Sequence, residues 1–133
     1  MFFAWDITIA AGTGEDELKE QILKITKGVI TRLDVKFPPG CHGLVKVRLL
    51  RSEFQLVPLS RDEWVTGDDE TVPSETYYEL EETPPELKFI GCSPDTTYPH
   101  TVTVRIQVLP KAIASSMPLF TLFTKLLERI GVL

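Results

Sequence analysis

The sequence predicts an all-β protein, an antiparallel β-sandwich of the jelly-roll or Greek-key kind with a C-terminal α-helix. Prolines and glycines interrupt the chain at short intervals, and the segments between them alternate apolar and polar side chains. Evenly spaced alternating segments are typical of sandwiches and barrels. The alternation stops near residue 110, which predicts a β-sandwich domain over 1–110 and a hydrophobic helix or tail over 111–133.

Six segments are predicted as strands because their apolar residues recur at every second position. The clearest strand is 29–37, where Thr31, Leu33 and Phe37 are expected to point to one face. In chain order the six segments cover 5–9, 29–37, 44–49 with a continuation or bend through 54–58, 77–80, 86–89 and 101–108.

Residues 15–26 fit two alternatives. Leu18, Ile22 and Ile25 fall at helical spacing, which favours a helix. The same segment can be a strand that turns at Gly28 into the next one. The strand is favoured, because Gly28 would then form a hairpin turn.

The final segment is predicted to form a helix of about 13 residues, because its apolar side chains recur at three- and four-residue spacing. Pro118 suits the first helical turn and Gly131 can end the helix. Its apolar residues surround more of the circumference than one contact face needs. The helix therefore either covers an end or edge of its own sandwich or packs against another subunit. A membrane-surface role is disfavoured, because basic residues are too few for an amphipathic anchor. The residues that define it are Met117, Phe120, Phe123, Leu127 and Ile130.

Length and charge exclude several classes of protein. A chain of 133 residues is long enough to fold as one domain without a metal or a disulfide. The net charge of −5 disfavours a nucleic-acid partner, and Lys46, Arg48 and Arg51 are expected on the solvent-exposed face of a strand. No segment reaches the roughly 18 apolar residues that cross a bilayer. The first residues lack the features of a secretory signal, so we expect synthesis in the cytoplasm without a signal peptide.

No motif predicts catalysis, and we expect a protein that is not an enzyme and holds no cofactor. His42 and His100 lie in no catalytic pattern. Cys41 and Cys92 lack the spacing of a zinc site and are predicted to be unpaired thiols. The acidic segment 61–75 could offer oxygen ligands to calcium, but a solvated loop is favoured.

Two sets of aromatic residues are candidates for contact surfaces. Phe2, Phe3 and Trp5 form an apolar N-terminus that, together with the C-terminal helix, predicts a homo-oligomer interface. Trp64 and Tyr98 could instead form a loop site for carbohydrate, since sugars stack on aromatic faces. Trp64 fits either a lid on the core or a contact surface.

Residues 24–110 resemble a group of small β-sandwich proteins encoded by phages, prophages and environmental genomes. The motifs that carry the resemblance are ITKGVI at 25–30, FPPG at 37–40, GLV at 43–45, YYEL at 77–80, PEL at 85–87 and DTTYPHTVTV at 95–104. The resemblance implies a virion structural role, such as a capsid decoration or a head- or tail-associated protein. Its implied partners are copies of itself and other virion proteins, and it implies no catalytic residue.

Overall fold

The computed structural model describes residues 1–58, 60 and 63–111. The segment 112–133, with the predicted helix and its interface residues Met117, Phe120, Phe123, Leu127 and Ile130, lies outside the described residues. The described part forms eight strands: β1 (Phe2–Ile9), β2 (Lys19–Lys24), β3 (Gly28–Phe37), β4 (Lys46–Arg51), β5 (Phe54–Val57), β6 (Glu70–Leu80), β7 (Glu86–Cys92) and β8 (His100–Leu109).

The eight strands form two antiparallel four-stranded sheets, which confirms the predicted sandwich. The first sheet has the order β1-β8-β3-β6 and the second has the order β2-β7-β4-β5. Strand one thus pairs with strand eight, two with seven, three with six and four with five. The chain behaves as one long hairpin whose two arms are paired throughout and then rolled into two layers.

The strand alternative for residues 15–26 is confirmed, because Lys19–Lys24 forms β2 and pairs with β7. The hairpin turn predicted at Gly28 is wrong, since β2 and β3 belong to different sheets and Gly28 is the first residue of β3. The segment predicted as one bending strand is a hairpin. The chain reverses direction between β4 and β5, and Ser52 adopts a positive φ of 53° there. The strand predicted at 77–80 starts earlier, at Glu70, so the second half of the acidic segment belongs to β6 rather than to a loop.

The core lies between the sheets and is built from the predicted alternation. Val102, Val104 and Ile106 of β8 are fully buried, and the side chains between them are more exposed. The largest fully buried side chains are Phe37, Phe89, Ile7, Ile9, Leu23, Ile30, Leu33, Leu49, Leu80, Leu87, Ile106 and Val29. Apolar burial of this extent is the main source of folding free energy.

Two predictions about side-chain direction are wrong. Thr31 does not continue the buried row, because the register of β3 shifts between Ile30 and Arg32 and Ile30 takes the core position instead. Such a bulge adds one residue and reverses the alternation beyond it. Arg51, predicted to lie on the solvent-exposed face of its strand, is only 9% exposed. Its guanidinium donates to the carbonyl of Glu86 at 3.2 Å.

Cys41 and Cys92 are buried free thiols. Burial raises the pKa of each thiol, and the negative charges of Asp68 near Cys41 and of Glu15 near Cys92 raise it further. Both cysteines therefore stay protonated and unreactive at neutral pH. No helix in the described part of the chain is long and apolar enough to span a membrane.

Candidate functional site

The candidate site is the outer edge of β1, which carries the predicted interface residues Phe2, Phe3 and Trp5. Strand β1 lies at the end of the first sheet, and among the described residues β8 is the only strand paired with it. Its other edge therefore presents main-chain groups that no described strand uses. Unpaired edge groups are a template for pairing with another chain.

The main-chain amides and carbonyls of β1 that do not bond to β8 can be identified from the hydrogen bonds at the start of that strand. Met1 donates to Val108 O at 2.8 Å, and Val108 N donates back to Met1 O at 2.8 Å. Such an exchange marks a hydrogen-bonded pair, and these alternate along an antiparallel ladder. The odd-numbered residues of β1 therefore bond to β8. The even-numbered residues direct their amides and carbonyls away from the sheet: Phe2, Ala4, Asp6 and Thr8.

Side-chain contacts agree with this assignment. Residues that face each other without main-chain hydrogen bonds bring their side chains closer together. The hydroxyl groups of Thr8 and Thr101 lie 2.8 Å apart, and Thr103 Oγ1 donates to Asp6 Oδ1 at 2.7 Å. These bonds hold the Thr8 and Asp6 side chains of β1 against β8.

The edge is bordered by apolar side chains. The rings of Phe3 and Trp5 stack with centroids 6.1 Å apart, and both are only partly buried against the core. Phe2 is 65% exposed and Met1 is 62% exposed. Exposed apolar groups beside free main-chain donors and acceptors are suited to a protein contact.

The other three edge strands carry features that block such a contact. Strand β5 has only four residues, and β2 carries Lys19, Glu20 and Lys24 among its six. Strand β6 is longer but contains Pro73 and several glutamates. Short length, charge and proline are the usual protections of an edge. The eight residues of β1 include one charged side chain, Asp6, and no proline.

Trp64 lies against the outer face of the second sheet. The guanidinium carbon of Arg48 lies 3.8 Å from its ring centroid, and Arg48 Nε donates to Glu63 O at 2.7 Å. The neighbouring Val65 pairs with Val47, which fixes the backbone beside the ring. Trp64 is thus a surface residue with one face covered by a cation, which is a stabilising arrangement.

Tyr98 lies elsewhere, in a loop contact that we call the Gly40 clasp, formed by Gly40, Asp68, Tyr98 and His100. The carbonyl of Gly40 accepts from Tyr98 Oη at 3.4 Å and lies 3.2 Å from His100 Nε2. Its amide donates to Asp68 Oδ1 at 3.0 Å. The φ of 95° at Gly40 favours glycine, and a Cβ there would collide with the Tyr98 hydroxyl. Tyr98 therefore serves to join loops.

Asp68 is the charged member of the Gly40 clasp. Backbone amides lower the pKa of its carboxyl, first that of His42 and then that of Gly40, and the nearby His42 imidazole lowers it further. His42 Nδ1 lies 3.6 Å from Asp68 Oδ2. His100, by contrast, is 4% exposed and its Nδ1 has no hydrogen-bond partner among the described residues. The clasp was not foreseen, because its members are far apart in the sequence.

The described residues contain no group of three or more His, Cys, Asp or Glu side chains placed to hold a metal ion. A depression of about 90 Å³ lies beside Arg51, with Ile22, Glu86 and Lys88 in its lining. It is well below the roughly 300 Å³ at which small-molecule sites begin.

The structure brings Phe2, Phe3 and Trp5 together on one edge, whereas Trp64 and Tyr98 make separate contacts. Sequence reasoning identified the apolar side chains of β1 but missed its free main-chain groups. The low charge and the absence of proline in 2–9 could not have identified this edge, because the inner strand β8 shares both features.

No protein-family model matches the chain, and no curated protein matches it either. Among solved structures, the Yersinia pseudotuberculosis-derived mitogen is similar to it, with a TM-score of 0.42 and 12% sequence identity. That similarity covers 82% of this chain and 86% of that chain. A likeness at this level carries no argument about function.

Proposed function

We propose that this chain is a structural subunit of a viral particle, a decoration or head- or tail-associated protein, that assembles through the free edge of β1. The single observation that carries the assembly role is that edge: eight residues, one charge, no proline and exposed apolar side chains beside it. The viral setting follows from the resemblance of residues 24–110 to phage-encoded sandwich proteins.

The strand order supports this proposal without deciding it. A hairpin whose strands pair one with eight, two with seven, three with six and four with five has the connectivity of a jelly roll. Jelly rolls are found in viral capsid proteins, and also in lectins and cupins. Because one fold hosts many functions, the fold permits the structural role and the edge gives the reason to choose it.

The mechanism needs no chemistry. A neighbouring strand would satisfy the outward amides and carbonyls of β1 and would cover Phe2 and the stacked rings of Phe3 and Trp5. A stable interface buries about 800 Å² on each partner. The edge supplies part of that area, and the predicted C-terminal helix is proposed to supply more.

The test measures the solution mass of the full chain by light scattering and compares it with the masses of two variants substituted at Ala4. Ala4→Pro removes an amide that faces away from β8, so it costs no hydrogen bond within the sheet. Ala4→Thr is the matched control, because it keeps that amide and suits a strand. We expect the wild type and Ala4→Thr to form oligomers and Ala4→Pro to be a folded monomer.

A wild-type chain that is monomeric at every concentration would contradict the proposal. A variant ending at Lys111 separates the two predicted contacts. If the edge is the main interface, this shorter chain stays oligomeric. If the shorter chain is monomeric whereas the full-length Ala4→Pro variant still forms oligomers, the interface lies in 112–133 and the edge proposal fails.

The alternative is a carbohydrate-binding module that uses Trp64. Arg48 covers one face of its ring, so only the opposite face could stack on a sugar. This alternative predicts glycan affinity that is lost in Trp64→Ala and kept in Ala4→Pro. A glycan array measured with both variants would distinguish it from the structural role.

A further inference from the structure

We propose that the occupant of the β1 edge is β1 of a second copy of this chain, paired antiparallel about a two-fold axis that passes beside Trp5. This inference rests on the proposed assembly role and adds the partner and the register. In the resulting dimer the two first sheets would join into one continuous eight-stranded sheet.

The geometry of the edge restricts the register. Opposite residues of an antiparallel pair point to the same face, so a two-fold axis must pass beside one residue rather than between two. Three such registers keep most of the strand paired, and they are centred on Ala4, Trp5 or Asp6. In all three, the even-numbered residues bond to even-numbered residues of the partner, as their outward amides and carbonyls require.

Charge excludes one of the three registers. Asp6 is the one charged side chain of β1. A pairing centred on Asp6 would place it directly opposite the partner's Asp6, and like charges in that position are destabilising. Centring on Ala4 places Asp6 opposite the partner's Phe2, and centring on Trp5 places it opposite the partner's Ala4. Both of these avoid the repulsion.

Length and apolar contact favour the register centred on Trp5. It pairs residues 2–8 of each copy, whereas centring on Ala4 pairs only residues 2–6. It also places Trp5 beside the partner's Trp5 on the core side of the joined sheet, where each ring already stacks on Phe3. Facing aromatic residues are among the favourable cross-strand pairs.

The last described side chain lies away from the free edge. Lys111 follows β8, and its Nζ lies 3.4 Å from a carboxylate oxygen of Glu79 and 3.3 Å from one of Glu81. Glu79 belongs to β6, at the opposite edge of the sheet from β1. The contacts of Lys111 therefore leave the edge of β1 uncovered by the described residues.

The register is tested by disulfide trapping in the full chain. Ala4→Cys and Asp6→Cys are made as separate proteins, mixed, and oxidised in air with copper phenanthroline. In the register centred on Trp5 these two positions face each other at about 5.5 Å between Cα atoms, which a disulfide can bridge. Two Ala4→Cys chains would be diagonal neighbours about 7–8 Å apart, at or beyond that limit.

We expect a cross-linked dimer in the mixture and little cross-linking of either variant alone. Thr101→Cys is the control, because Thr101 is exposed on the same face but lies on β8, an inner strand. The native Cys41 and Cys92 are fully buried and stay out of the reaction. Efficient cross-linking of Ala4→Cys alone would overturn the proposed register.

Light scattering and cross-linking together distinguish an incorrect partner or register from an incorrect assembly role. If the wild type assembles and Ala4→Pro abolishes assembly, but no cysteine pair cross-links, the edge binds something other than a second β1. If trapping succeeds only in a chain ending at Lys111, the segment 112–133 covers the edge and the second-copy proposal is overturned.

Discussion

One row of residues that crosses the first sheet shows how its two edges, β1 and β6, differ. Ala4 of β1 faces Arg105, Arg105 faces Asp34, and Asp34 faces Pro73 of β6. Ala4 and Pro73 thus occupy equivalent positions at opposite edges of one sheet. The edge with proline is protected and the edge with alanine is open.

The direction of the missing amide explains why proline is tolerated at position 73. Successive residues of an inner strand in an antiparallel sheet bond alternately to one neighbouring strand and then to the other. Counting along β8 from the bonded pair of Met1 and Val108 shows that Asp34 bonds to β8 and therefore not to β6. Pro73, opposite Asp34, therefore faces outward. The proline removes a donor from the free edge and costs the sheet no hydrogen bond. One proline of this parity therefore removes a main-chain donor from an edge without weakening the sheet.

The flanks beside these edges also differ. At the β6 flank, Tyr78 stacks on Phe54 of β5 with centroids 5.9 Å apart, so one aromatic pair joins the two sheets. At the β1 flank, Phe3 and Trp5 belong to the same strand and stack on each other. The first flank is closed by the fold itself, whereas the second keeps its rings available for a neighbour.

The largest expected effect tests the core that both edges share. Phe37 is fully buried in β3, between β8 and β6. Phe37→Ala should lower the free energy of unfolding by about 3–5 kcal/mol, because it leaves a cavity. Phe2→Ala, at a side chain 65% exposed, should change it by no more than about 0.5 kcal/mol.

Urea unfolding measures both changes, and Ala4→Pro is the suitable background because assembly then adds no stability. Equal losses from the two phenylalanine substitutions would mean that Phe2 is part of the core and that the edge is not open.

An effect of intermediate size, on self-association, is expected when the edge of β6 is made to resemble that of β1. Pro73→Thr with Glu75→Thr restores an outward amide and removes a charge, which makes β6 resemble β1. In the Ala4→Pro background this pair should turn a monomer into a weakly associating chain, since each new hydrogen bond contributes about 0.5–1.5 kcal/mol. Sedimentation against concentration would detect it. A chain that stays monomeric would show that proline and charge are not what protects β6.

The smallest expected effect is on the melting temperature and concerns Asp68, in the loop that leads into β6. The pKa of Asp68 is lowered in the folded state, so its contribution to stability is present above its ordinary value of 3.8 and is lost as pH falls through the lower folded value. Asp68→Asn should therefore lower the melting temperature slightly at pH 7, and the difference should vanish in strong acid. Asp95→Asn, in another loop, is the control. A difference that persists in acid would assign the effect to packing.

Much of the fold was predictable because local alternation reports burial directly. The row of Val102, Val104 and Ile106 could be identified from spacing alone. The bulge between Ile30 and Arg32 could not, since it depends on how β3 pairs with its neighbours. The turn at Ser52 was missed because neither glycine nor proline marks it.

The candidate site was predictable in its side chains but not in its main chain. Phe2, Phe3 and Trp5 stand out as an apolar N-terminus. Whether their strand lies at an edge depends on pairing between residues a hundred positions apart, which the spacing of residues does not encode. Trp64 and Tyr98 were grouped because both are aromatic, but Arg48 and Gly40 respectively fix them in separate contacts.

The most direct measurement of the central claim is hydrogen–deuterium exchange of the outward amides at the two edges, in the assembled protein and after dilution to the monomer. We expect the amides of Ala4, Asp6 and Thr8 to be protected in the assembly and to become exchangeable on dilution. The outward amides of Thr71 and Glu75 on β6 should exchange rapidly in both states. Rapid exchange at Ala4 and Asp6 in the assembled protein would contradict the claim that the edge of β1 is the interface.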